Sequence, residues 1–240
     1  GGVITTTGNV SLTATAGSIT DLDANAAVDI VATGLRLVAG VGIATATNHL
    51  ETTVSTLSAR ATSGGIFVTE TNALTISDVA VTVQKVSATN TLTPTTDAAQ
   101  SDLRTTAGNG AIVLTTGGDL TLNDGTAATD TTSISAHGTG NILVTTTGNI
   151  TVNADILSGT GHLTLLATAT LTQNADVTTA GTGTINLEAN AYTAALTADI
   201  TANSGDIRVL SATDIGLGGV ITTTGTVWLT ATAGAVTGRG

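Results

Sequence analysis

The sequence predicts an all-β protein, specifically a parallel β-helix (β-solenoid) of about eight to nine coils with roughly 20–22 residues each. Three observations lead to this prediction. The composition is poor in helix-forming residues, short alternating runs lie between regularly spaced glycines, and a segment at the start of the chain recurs near its end. The whole chain, residues 1–240, is therefore interpreted as a single solenoid segment.

The composition favours strands over helices. Thr supplies about a quarter of the 240 residues, and Val, Ile, Leu, Ala and 29 Gly supply most of the rest. β-Branched residues suit a pleated surface, whereas the helix formers Glu, Lys, Gln and Arg are scarce. The single proline also fits interior strands, which need every backbone N–H for pairing.

Regularly spaced glycines divide the second half of the chain into similar units. Each unit contains about three short runs, such as Ile142/Val144, Ile150/Val152 and Ile156, in which apolar and polar residues alternate. Alternation at period 2 places one set of side chains inward and the other outward. The glycines that mark these units are Gly140, Gly161, Gly183, Gly205 and Gly225.

In the first half the same landmarks stand further apart, which predicts loops inserted between coils. The candidate landmarks are Gly8, Gly34, Gly65 and Gly110. The longest insertion is expected at about residues 87–109, a polar segment that holds Pro94, and is interpreted as a protruding loop or short hairpin.

The first 20 residues recur at the end of the chain. The segment that starts at Gly1 matches the one that starts at Gly218 at 16 of 20 positions, and Trp228 replaces Ser11. A 217-residue period predicts one unit of a longer solenoid or of a head-to-tail fibre, with Gly1, Gly218 and Trp228 at the junction. The partner would then be a second copy of the unit, because a lone β-helix exposes unpaired edges at both ends.

Charge and hydropathy exclude two kinds of partner. The net charge of −11 and the scattered basic residues argue against nucleic acid. No apolar run is long enough for a membrane-spanning helix, so no membrane insertion is expected.

Two motifs resemble the long repetitive regions of giant bacterial surface proteins, the filamentous-haemagglutinin-like and autotransporter-like adhesins. They are the pattern Gly-x-Ile-x-Thr-Thr-x-Gly followed by Val-x-Leu-Thr-Ala, and the segment GGIFVTETNALTI at residues 64–76. The resemblance implies a right-handed β-helix, export to the cell surface, and a scaffold or adhesive role with surface glycans as candidate partners. It supplies no catalytic residue, and the chain is expected not to be an enzyme.

One short segment has the spacing of calcium ligands. Asp21, Asp23 and Asn25 follow the Asp-x-Asp-x-Asn pattern, but Ala26 and Ala32 stand where a calcium loop needs Gly and Glu. The favoured interpretation is an acidic turn without metal, and no cofactor is expected. The three histidines, His49, His137 and His162, lack partners at metal-ligand spacing and are expected at the surface.

Pairs of threonines suggest a surface-binding module as the alternative function. If they formed ranks on one flat outer face, they would present a regular hydroxyl and methyl array to ice or to a glycan. The pairs are Thr13/Thr15, Thr69/Thr71, Thr145/Thr147, Thr168/Thr170 and Thr230/Thr232.

A polysaccharide-active β-helix enzyme is the third hypothesis. Asp155 and Asp176 share the phrase Asn-Ala-Asp and are expected on adjacent coils. A solvated acidic corner is the favoured interpretation of this pair. Aspartates clustered with arginine beneath the 87–109 loop would favour the enzyme.

Overall fold

The computed structural model describes residues 2–23, 25–127 and 130–238, so the expected junction residue Gly1 lies outside the described residues. The chain folds as a parallel β-solenoid of about 11 turns, and the described part contains strands and no helix. The predicted fold class is confirmed, with slightly more turns than the eight to nine expected. No helix that is long and apolar enough to cross a membrane occurs within the described ranges.

Short strands separated by turns make up each coil. In the first half they are β1 (Ile4–Thr5), β2 (Asn9–Ala14), β3 (Ile30–Ala39), β4 (Leu50–Ala61), β5 (Ile66–Glu70), β6 (Leu74–Ile76), β7 (Val79–Val86), β8 (Leu92–Gln100), β9 (Leu103–Thr105), β10 (Ile112–Thr116) and β11 (Leu120–Leu122). In the second half they are β12 (Thr132–Ala136), β13 (Ile142–Thr146), β14 (Ile150–Val152), β15 (Asp155–Ser158), β16 (Leu163–Ala167), β17 (Thr170–Gln173), β18 (Val177–Thr179), β19 (Ile185–Ala189), β20 (Ala191–Ala194), β21 (Ile200–Ala202), β22 (Ile207–Ser211), β23 (Ile215–Leu217), β24 (Ile221–Thr222), β25 (Val227–Ala231) and β26 (Val236–Gly238).

Parallel pairing between successive coils builds three sides. The first side is β5–β10–β13–β16–β19–β22–β25. The second is β6–β11–β14–β17–β20–β23–β26. The third is β9–β12–β15–β18–β21–β24. The long strand β4 runs round the corners and pairs with β5, β6 and β9, which joins the first coils to all three sides.

The core is a narrow column of aliphatic side chains enclosed by the three sides. On β10, Ile112 and Leu114 are fully buried, and their partners on β13, Ile142 and Val144, continue the same columns. Strict alternation puts these residues inward on every coil because successive side chains point to opposite faces of a strand. Burial of such columns supplies the main driving force for the fold.

The landmark glycines form a stack at one corner. An added Cβ on Gly140 would overlap the carbonyl oxygen of Gly110, one on Gly161 would overlap that of Gly140, and the same contact continues through Gly183, Gly205 and Gly225. Gly34 lies on another part of the coil, where it pairs with Asn9 and Thr56. The interval from Gly34 to Gly65 therefore holds more than one turn, which is why counting glycines underestimates the turns.

The principal insertion is a β-hairpin. Strands β7 and β8 pair antiparallel around a turn at residues 87–91, where Ser87 N–H donates to Thr91 O at 2.9 Å. The excursion thus covers residues 79–100 rather than the expected 87–109, because Leu103–Thr105 pairs with Ala59–Ala61 as a solenoid strand. Pro94 is tolerated because β8 is an exposed edge strand.

The two copies of the duplicated segment occupy different sides of the solenoid. In the first copy β2 pairs with β3, and that column continues through β4 into the second and third sides. In the second copy β25 pairs with β22 on the first side. The alternating pattern fits any side, so the same sequence can build different parts of a coil.

Candidate functional site

The predicted threonine pairs do not form one array. Thr69 and Thr145 lie on the first side and are joined in register through Thr115. On the same column the next positions toward Thr230 are Leu166, Glu188 and Leu210. Thr13 pairs with Val38 on β3, and Thr170 begins β17 on the second side.

Several of these threonines use their hydroxyls within the fold. The Oγ1 atoms of Thr147, Thr168 and Thr232 donate to the backbone oxygens of Gly117, Thr146 and Ser211 at 2.7, 3.1 and 2.9 Å. Thr71 shares a 2.6 Å hydrogen bond with Thr53. These hydroxyls tie the corner of one coil to the coil before it. For Thr15 no contact bears on a surface array.

A continuous threonine ladder runs elsewhere, on the second side. Its members pair in register from one coil to the next and point away from the core: Thr56, Thr75, Thr121, Thr151, Thr172 and Thr193. Sequence reasoning missed this column because it looked for Thr-x-Thr pairs. The available signal was the central threonine of each short second-side strand.

Aspartates at one corner form a chain of backbone acceptors. The Oδ1 atoms of Asp155, Asp176 and Asp199 accept the N–H groups of Asp176, Asp199 and Val220 at 3.0, 2.8 and 2.8 Å. The sequence correctly placed Asp155 and Asp176 on adjacent coils. Their carboxylates bind backbone donors of the next coil, which is a structural arrangement.

The calcium candidate is brought together only in part. Carboxylate oxygens of Asp21, Asp23 and Asp29 lie within 4.8 Å of one another. Asn25 Oδ1 instead accepts the N–H of Ala27 at 2.6 Å, as in an Asx turn. Burial, together with the charges of Asp29 and Asp21, raises the pKa of the neighbouring Glu51 to about 6.

A second acidic cluster was not predicted. Asp102, Asp124 and Asp130 place carboxylate oxygens within 4.8 Å of one another beside the hairpin base. Asp102 is 1% exposed, and burial raises its pKa to about 6, with the charges of Asp130 and Asp124 adding to this effect. No sequence spacing could reveal this cluster, since its members come from three separate turns.

The histidines lie outside both acidic clusters. His49 contacts the ring of Phe67 at 5.9 Å and shares a 3.0 Å hydrogen bond with Thr69, and burial lowers its pKa. His162 Nδ1 accepts the N–H of Thr184 at 3.2 Å. The backbone N–H of His137 donates to Thr105 at 2.9 Å. Among the described residues, no histidine belongs to a group that could hold a metal.

The comparisons with known proteins do not add a relative. No family model, curated protein or solved structure matches this chain.

Proposed function

We propose that this chain is a non-catalytic structural segment of a giant cell-surface fibrous protein, or the protomer of a head-to-tail β-solenoid filament, with a scaffold or adhesive role. The observation that carries the proposal is that the parallel ladder is open at both ends and that both ends carry nearly the same sequence. Extracellular placement rests on the resemblance of the glycine and threonine motifs to bacterial surface proteins.

The two ends offer surfaces that suit stacking. At the first end β1 and β2 pair only with β3, and at the other β24, β25 and β26 pair only with the preceding coil. Apolar residues are exposed at both ends, including Ile4 and Leu22 at one and Val227, Trp228 and Val236 at the other. An open edge with exposed apolar residues favours pairing with another chain.

Assembly of the isolated chain tests this proposal. Light scattering and electron microscopy should show unbranched rods that lengthen with protein concentration, and aligned rods should give a reflection at about 4.8 Å along their axis. A chain with two successive 217-residue units should form a single rod longer by roughly 45 Å at this strand spacing.

A variant at one edge makes the experiment specific. Trp228→Lys together with Thr230→Lys places two charges on the outer face of the last first-side strand and should abolish the rods, because lysines block edge pairing. Leu157→Lys is the matched control, since Leu157 is an exposed apolar residue in mid-solenoid. Monomers at every concentration, or rods that survive the double substitution, would contradict the proposal.

The threonine ladder supports a second candidate, a module that binds ice or a glycan through the second side. Such a module should inhibit ice recrystallisation or bind immobilised glycans, and Thr121→Lys with Thr151→Lys should remove that activity. Unchanged activity in this variant would exclude the ladder as the binding surface.

An enzymatic role has less support. Asp102, Asp124 and Asp130 with Arg104 lie at the hairpin base, which is the arrangement that would favour a polysaccharide-active enzyme. Asp102, however, is almost fully buried, and Arg104 binds Asp130 at 3.0 Å. We therefore assign these residues no catalytic role.

A further inference from the structure

We propose that Asp102, Asp124 and Asp130 form a calcium site that fastens the hairpin insertion to the solenoid. Asp102 lies between the end of β8 and the start of β9, Asp124 follows β11, and Asp130 precedes β12. A cation shared by these carboxylates would link the return from the hairpin to the two turns that follow it. This inference is independent of the proposed structural role.

The first argument is the unsatisfied chemistry of Asp102. Its Oδ2 accepts the Ser101 hydroxyl at 3.0 Å, but its Oδ1 is buried without a hydrogen-bond partner among the described residues. A buried carboxylate without full compensation is costly, and such groups are normally paired or bind a metal. Asp124 repeats the pattern, since its Oδ1 is also buried without a partner.

The neighbouring carboxylates are already satisfied, which separates them from this pair. Asp78 accepts the backbone N–H groups of Thr126 and Ala127 at 2.6 and 3.0 Å. Asp155 accepts the Thr131 hydroxyl at 3.1 Å in addition to its backbone donor on the next coil. The oxygens that remain without donors therefore belong to Asp102 and Asp124.

The local charge balance leaves room for a divalent cation. The groups that act on the cluster are the carboxylates of Asp78 and Asp155 and the guanidinium groups of Arg60 and Arg104. With the three cluster carboxylates, these groups sum to a charge of −3. One Ca²⁺ would offset most of it.

The ligand chemistry matches calcium. Ca²⁺ takes 6–8 oxygen ligands in flexible geometry, including carboxylates that bind through one or both oxygens, and accepts water for the remainder. Asp130 lies at the protein surface, with 37% of its side chain exposed, so water can reach the site from that side. Its Oδ1 is held by the backbone and hydroxyl of Thr132, which fixes the position of the carboxylate.

Calorimetric titration of the EDTA-treated 240-residue chain with calcium chloride tests the site. We expect one calcium ion per chain and a rise of several degrees in the thermal midpoint, since a ligand that binds only the folded state stabilises it. Asp102→Asn should weaken binding at least tenfold and abolish the thermal shift. Asp206→Asn is the control, because Asp206 accepts a backbone N–H far from the cluster and should leave both unchanged.

A second variant guards against loss of the fold. Asp124→Asn should give the same loss of binding, with a far-ultraviolet circular dichroism spectrum that confirms intact strands. Binding that survives both substitutions would place the ion at Asp21, Asp23 and Asp29 and overturn the assignment. Absence of calcium binding by the wild-type chain, with Asp102→Asn more stable than wild type in EDTA, would mean that the cluster holds a proton and would equally overturn it.

Discussion

At the scale of single residues, Gly161 shows how closely one coil approaches the next. An added Cβ would overlap Gly140 O, and Ser158 Oγ lies 2.9 Å away on the other side. Neither neighbour can withdraw easily, because Gly140 O belongs to the backbone and Ser158 Oγ donates to that same oxygen at 2.9 Å. The glycine is therefore required by the spacing of the coils.

We expect Gly161→Ala to lower the free energy of unfolding by about 1–3 kcal/mol, the usual cost of forcing an extra methyl into a packed site. Denaturant unfolding followed by circular dichroism measures this change. Gly216→Ala is the control, since its nearest neighbour would lie 3.7 Å from the new Cβ, an ordinary contact. Equal effects of the two substitutions would show that the glycine stack is not a steric requirement.

At the scale of elements, the hairpin is bound to the solenoid at its base and projects freely at its tip. Three side chains make the base contacts: Asn9 Nδ2 donates to Ala80 O, Arg36 Nε to Ala98 O and Gln100 Nε2 to Leu37 O, at 3.0, 3.1 and 3.1 Å. The tip residues Val86 and Leu92 are exposed. The solenoid therefore depends on the base of the hairpin.

Replacing residues 84–94 by Asn-Gly should leave the solenoid folded. The dipeptide favours a two-residue hairpin turn and would join Val83 to its partner Thr95. We expect the unfolding midpoint to change little. A matched variant that also removes residues 79–83 and 95–100 should be clearly less stable, because it lacks the Gln100 bond. Unfolding of the shorter deletion would show that the tip stabilises the coils.

At the scale of the whole molecule, buried carboxyl groups make stability depend on pH. Burial raises the pKa of Asp29, Glu51 and Glu70, and for Glu51 it reaches about 6 from an unperturbed 4.5. Between these two values the folded chain binds more protons than the unfolded chain. The free energy of unfolding must therefore fall as pH rises through that window.

We expect the wild-type chain to be more stable at pH 4.5 than at pH 7. Glu51→Gln should remove part of this difference, raising the free energy of unfolding by about 1–2 kcal/mol at pH 7 and changing it little at pH 4.5. Glu188→Gln should act oppositely, because hydrogen bonds from Asn186 and Arg208 lower the pKa of Glu188. A gain from Glu51→Gln that is equal at both pH values would refute the linkage.

Local alternation predicted the strands well, and the acidic clusters poorly. Ile142, Val144 and Ile150 point inward as the period of 2 requires, and the landmark glycines from Gly140 onward form one stack. The equivalence of Asp155 and Asp176 was visible because both follow the same phrase in consecutive regular coils. In the first half, long strands such as β3 and β4 turn corners, so glycine spacing no longer counts turns.

The sequence by itself determined the all-β solenoid, because alternation, β-branched side chains and glycine spacing are local signals that repeat on every coil. Only the tertiary structure decided which side each strand occupies, as the two copies of the duplicated segment show. It also decided which polar groups meet: Asp102, Asp124 and Asp130 lie on three separate turns, and the Thr56 to Thr193 ladder crosses six strands. Such contacts depend on the register between coils, which accumulates every insertion along the chain and is therefore not a local property.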